Sequence, residues 1–106
     1  MNDINSCIIE GVVSTKLAYS DCEGTFTVTS HRYEKVGEEM KCEETFVHVI
    51  VRGKLLEFAS EKCIEGRGIR VVGRFCNYNG GLSLFAEHLE FKANVNRIGK
   101  YNFKRD

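Results

Sequence analysis

In the stretch TFVHVIVRG, Phe46, His48 and Arg52 alternate with Val47, Val49 and Val51. An extended strand sends alternate side chains to opposite faces, so a ring, an imidazole and a guanidinium share one face, with Ile50 among them. Two further groups have the same character: Tyr33 stands with Arg32 and Lys35, and Tyr78 follows Arg74. Flat rings stack on planar partners, and cations pair with anions. That chemistry holds a ligand without making or breaking bonds.

Bond-making chemistry finds no support. His31, His48 and His88 stand with many glutamates but at no metal-ligand spacing, and there is neither a Gly-x-Ser-x-Gly turn nor a phosphate-cradling glycine loop. We therefore expect no enzyme: no catalytic residue, no metal, no cofactor and no small-molecule substrate. The five cysteines, Cys7, Cys22, Cys42, Cys63 and Cys76, are odd in number and never at CxxC spacing. They read as small, mostly buried hydrophobes in a reducing cytoplasm.

A chain of 106 residues supports one modest core. No apolar run approaches the roughly 18 residues of a membrane span, and the first residues lack the pattern of a signal peptide. A cytoplasmic protein is expected, with no membrane partner. The net charge of zero hides an uneven distribution. Residues 1–92 hold 11 Lys/Arg against 14 Asp/Glu, and residues 93–106 hold four against one. The acidic excess gathers in EKVGEEMKCEE, Glu34 to Glu44. Such a run would repel a polyanion, although local patches outweigh the sum.

Five strands are predicted to present these residues. The first runs from Cys7 to Tyr19, with Gly11 marking a bulge or bend. The second runs from Thr25 to Glu34, followed by a polar, turn-bearing loop, KVGEEMKC. The third is TFVHVIVRG. The fourth, GIRVVGRF, sets Ile69, Val71, Gly73 and Phe75 against Arg70, Val72, Arg74 and Cys76. The turn NYNGG leads to a fifth strand from Leu82 to Lys92. Between the third and fourth, KLLEFASEKCIEG repeats apolar residues at Leu55, Ala59 and Cys63, and Gly66 is placed to end a helix. The fold class is all-β with one helix: a five-stranded OB-fold barrel with the helix between strands three and four, plugging the barrel's open bottom.

The segments NSCIIEGVVSTKLAYS and TFVHVIVRGKLLEFASEKCIEGRGIRVVGRF resemble the bacterial single-stranded DNA-binding protein family. The helix, Gly73 and both flanking strands agree together, and the resemblance covers residues 4 to 92. It implies an OB-fold domain over residues 1–92, a short basic C-terminal extension over 93–106, and single-stranded DNA as partner. Family members stack bases on aromatic side chains, which carries over to Tyr33, Phe46 and Tyr78, with His48 at a position often basic. Where an aromatic usually precedes the Gly-Lys that opens the helix, this chain has Arg52, whose plane can stack and whose charge can pair with phosphate. With Arg32, Lys35 and Arg74 these form the expected nucleic-acid-binding set. Single strands expose π-faces and a charged backbone, so rings interleaved with cations suit them, each stacked base being worth roughly 1–3 kcal/mol. Without tryptophan the stacking rests on Tyr, Phe and Arg, which implies somewhat weaker binding.

The resemblance further implies a role in replication, recombination or repair, and a homo-oligomer, a tetramer built by pairing first strands. The family's long tail with its acidic tip has no counterpart in YNFKRD, where Tyr101, Phe103, Lys100, Lys104 and Arg105 could touch nucleic acid. Two alternatives share the fold: a dimeric primosomal replication protein bridging single-stranded DNA and a helicase, and a protein-interaction module that has lost DNA binding.

Overall fold

The computed structural model describes residues 1–93. Its elements are β1 (Cys7–Val13), β2 (Ala18–Ser20), β3 (Glu23–Val36), β4 (Glu39–Arg52), α1 (Lys54–Lys62), β5 (Gly68–Tyr78) and β6 (Gly81–Phe91). Strands pair in the order β1-β5-β6-β4-β3, and β1 returns to pair with β3, closing a five-stranded barrel. All pairings are antiparallel except β4 with β6. The short β2 follows β1 along the same edge of β3, from Ala18↔Thr25 to Ser20↔Glu23.

The predicted first strand is thus two. It breaks after Val13 because hydroxyl side chains take over the ladder. Ser14 donates to the Thr27 carbonyl from both its backbone N–H (2.9 Å) and its Oγ (3.1 Å), and the Thr27 N–H donates to Thr15 Oγ1 at 2.9 Å. The helix consequently lies between β4 and β5, which are the third and fourth strands of the barrel proper once β2 is set apart.

Val13, Phe26, Val28, Val49, Val51, Ile69, Val71, Leu84, Ala86 and Leu89 fill the barrel, and Ala59 brings α1 against them. Leu55, Leu56, Phe58 and Cys63 flank Ala59 and pack on the same core, as the helical spacing requires. The helix ends sooner than expected, at Lys62, with Cys63 as its C-cap in a non-left-handed conformation. Gly66, at φ 89°, instead serves the following turn, where the Arg67 N–H donates to the Ile64 carbonyl.

Two glycines let the barrel close. A Cβ on Gly11 would lie 2.1 Å from the Thr29 carbonyl oxygen, and one on Gly73 would lie 2.0 Å from that of Phe85. β1 pairs with β5 without a register shift from Cys7 to Val12, so Gly11 marks a close crossing rather than a bulge. The bulge falls in β6, where Glu87 is the extra residue facing the step from Val72 to Gly73 on β5. Beyond this step β5 outruns β1, and Phe75, unlike the buried Ile69 and Val71 with which it alternates, is 39% exposed. Its backbone N–H and carbonyl are met instead by the Asn5 side chain, at 3.0 and 2.8 Å.

The predicted loop KVGEEMKC is also strand. β3 and β4 stay in register from Glu23↔Arg52 out to Val36↔Glu39, leaving only Gly37 and Glu38 in the turn. Positive φ at Gly37 (65°) allows a two-residue reversal of the II′ kind. The cysteines also differ from expectation: Cys22 and Cys42 are exposed and the other three half-buried. Burial pushes the Cys63 thiol up to about 11. At pH 8 that leaves roughly a hundredth of an ordinary thiol's thiolate, and the thiolate is the nucleophile. Native protein treated with iodoacetamide should therefore be alkylated first at Cys22 and Cys42 and last at Cys63, as read by peptide mass spectrometry.

Candidate nucleic-acid interface

The uninterrupted β3–β4 register assigns every side chain of this ribbon to a side, because directly opposed residues in an antiparallel pair face the same way. Phe46, His48, Ile50 and Arg52 share a side with Thr29, Thr27, Thr25 and Glu23. Further out, the same side carries His31, Tyr33 and Lys35 opposite Glu44, Cys42 and Met40. The other side carries Arg32 opposite Glu43 and Glu34 opposite Lys41. The fold therefore divides the acidic run. Glu34, Glu39 and Glu43 go to the far side, where Arg32 and Lys41 oppose two of them, and Glu38 sits in the turn. Only Glu44 shares the aromatic side, 3.2 Å from His31 Nε2.

On the barrel wall this side continues across β6 and β5 through direct contacts. His48 Nδ1 lies 2.9 Å from Ser83 Oγ, and its ring lies 5.7 Å from that of Tyr78, tilted by 37°. Tyr78 pairs with Gly81 on β6, and its hydroxyl donates to Glu23 Oε2. The other Glu23 oxygen accepts from Arg52 Nε and Nη2, both at 2.9 Å. The Arg52 guanidinium lies 5.3 Å and that of Arg74 4.5 Å from the centre of the Phe85 ring. Arg74 also stands 4.0 Å from Glu87. Ile50, the Cα partner of Phe85, is buried on this side at 1% exposure, apart from the barrel core.

Electrostatics follow from these bonds. The Tyr78 hydroxyl, then Arg52, hold the Glu23 carboxyl below its ordinary range, and Glu23 in turn raises the Tyr78 phenol. Cys42 raises the Tyr33 phenol, with Glu44 adding to it.

Of the eight residues expected from the sequence, His48, Arg52, Arg74 and Tyr78 form one connected cluster. Phe46 is two residues along β4 from His48, about 7 Å, and Tyr33 is opposite a residue four positions further, about 13 Å more. Both rings are open, Tyr33 at 67% and Phe46 at 65% exposure. Lys35 shares their side at the tip. Arg32 does not, since it points away from the rings. Sequence reasoning overlooked Glu23, hidden in what read as a turn, and Phe85. The latter was findable, because an aromatic between Leu84 and Ala86 in an alternating strand must face out of the barrel. The basic extension over residues 93–106, with Tyr101, Phe103, Lys100, Lys104 and Arg105, lies outside the described residues apart from Ala93. Among the described residues no helix is long and apolar enough to cross a membrane, and no cluster of three metal-ligating side chains occurs.

No protein-family model and no curated protein matches the chain. Solved structures do. A small single-stranded DNA-binding protein from Streptomyces coelicolor superposes with a TM-score of 0.73 at 18% identity, over 87% of this chain and 96% of that one. The Plasmodium falciparum SSB in complex with ssDNA matches at 0.69 and 13% identity, over 88% and 98%. PriB from Ralstonia solanacearum matches at 0.65 and 12% identity, over 86% and 100%. At these identities the likeness is one of fold, and with the closed ring of strands and the helix between β4 and β5 it makes this chain an OB-fold of the type those proteins carry.

Proposed function

We propose that this protein binds single-stranded DNA without catalysis and with little regard to sequence, in replication, recombination or repair. The observation that carries the reading is the continuous side of β3, β4, β5 and β6. It presents open rings at Tyr33 and Phe46, then a cluster of His48, Tyr78, Arg52, Phe85 and Arg74. Every base offers a π-face and every nucleotide a phosphate, so such a surface is sequence-tolerant. The fold shared with an SSB solved with ssDNA supports the same reading. The site comprises Tyr33, Lys35, Phe46, His48, Arg52, Arg74 and Tyr78. Arg32 contributes from the far side of the ribbon, by long-range charge. The protein works in the cytoplasm on the nucleoid, as a homo-oligomer, with residues 1–92 as the binding domain and 93–106 as an appended basic segment.

Fluorescence anisotropy of labelled oligo(dT), with a duplex of equal length as control, tests this across a salt series. Submicromolar affinity for the single strand, weak binding to duplex, and log K falling with log[salt] are expected. Absence of preference for the single strand at low salt would overturn the reading. The PriB likeness favours one alternative, the primosomal protein. Light scattering separates the two, since a tetramer fits the first and a dimer the second.

A further inference from the structure

Glu23 is an acid in the middle of a surface proposed to bind a polyanion, and its surroundings are specific. Its side chain is 17% exposed, while that of its partner Arg52 is 55% exposed. One oxygen takes two guanidinium N–H donors, and the other takes the Tyr78 hydroxyl. The pairing is built into the sheet, because Glu23 and Arg52 are the first register pair of β3 and β4. A carboxylate accepting two N–H bonds from one arginine offers that arginine what a phosphate would offer.

We infer that Glu23 is a positioning residue that stands in for a DNA phosphate: it occupies Arg52 until a phosphate displaces it, while its second oxygen holds the Tyr78 ring over His48. This deepens the proposed function and rests on it. The two roles have opposite signs. Occupying Arg52 opposes binding, since the ion pair must be exchanged before a phosphate gains that cation. Holding Tyr78 favours binding, since a ring already fixed loses less freedom when a base stacks on it. The arrangement keeps Arg52 beside the Phe85 ring in the free protein and limits the salt dependence of binding, because a phosphate that replaces Glu23 gains less than one meeting an unpaired arginine.

Substitution separates the roles. Glu23→Gln keeps an oxygen that can accept from Tyr78 and removes the charge. Binding to oligo(dT) at low salt should tighten by about two- to fivefold, the range of an exposed ion pair. The slope of log K against log[salt] should steepen by about 0.7, one more phosphate contact on a single strand. In an Arg52→Gln background the same change should give no gain, because nothing remains for Glu23 to occupy. Glu23→Ala, which also frees Tyr78, should steepen the slope equally but bind less tightly than Glu23→Gln. An unchanged slope in Glu23→Gln, or a gain that persists with Arg52→Gln, would overturn the inference while leaving the proposed function standing. If neither the parent nor Glu23→Gln prefers single strands at any salt, the proposed function fails and this inference falls with it.

Discussion

Gly73→Ala should unfold this protein about 15 °C lower than the parent. A methyl at this position would sit 2.0 Å from the Phe85 carbonyl oxygen, 2.9 Å from its carbon and 3.1 Å from Ala86 Cα. All three are backbone atoms of β6, so no side chain can swing aside. Relief requires β5 and β6 to part at the β6 bulge facing Val72 and Gly73, where the ladder is already interrupted. Overpacking of this kind costs about 3 kcal/mol, and each kcal/mol lowers the midpoint by roughly 4–8 °C in a domain of this size. Gly11→Ala should behave alike, since its methyl would meet the Thr29 carbonyl oxygen at 2.1 Å. Gly68→Ala supplies the contrast. Its methyl would approach only Lys92 side-chain carbons, at 3.2 to 3.3 Å, and a flexible lysine can yield. Calorimetry should place that variant within about 5 °C of the parent. Equal, small shifts for all three would mean that barrel closure tolerates more separation than the backbone contacts imply.

The second large effect concerns binding. Tyr33→Ala and Phe46→Ala should each weaken oligo(dT) binding about 10- to 100-fold, the loss of one stacked base. The double variant should lose the product of the two, about 1,000-fold, because the residues are far enough apart to act independently. Neither change should lower the unfolding temperature by more than a few degrees. Both rings are about two-thirds exposed, so truncation opens no cavity. The same pair tests the interaction-module alternative. A barrel that had lost DNA binding would show no change in affinity for the single strand from either variant.

Much of this was legible in residues read one element at a time. Alternation in TFVHVIVRG set Phe46, His48 and Arg52 on one side, and the register confirms that side. The spacing of Leu55, Ala59 and Cys63 identified the helix and its buried face, with Ala59 fully enclosed. Both are properties of local period, 2 for a strand and 3.6 for a helix, which side-chain direction follows wherever the chain lies. Errors arose where a distant partner overrides local preference. KVGEEMKC is polar enough to read as a loop, yet β3 and β4 carry it as ribbon to a two-residue turn, with Arg32 opposite Glu43 and Glu34 opposite Lys41. The run from Cys7 to Tyr19 is apolar enough to read as one strand, yet the hydroxyls of Ser14 and Thr15 find Thr27 and end it.

What the sequence by itself determined is the order of strands and helix and the side to which most binding residues point. These depend on neighbours two, three or four positions apart. Only the tertiary structure decided that Tyr78 would lie over His48, that Phe85 would stand between Arg52 and Arg74, and that Glu23 would hold two of the binding residues at once. Those contacts join residues on different strands, and Glu23 reaches partners 29 and 55 positions away. Their geometry is set by barrel closure and by the crossings that Gly11 and Gly73 permit, which no local period encodes.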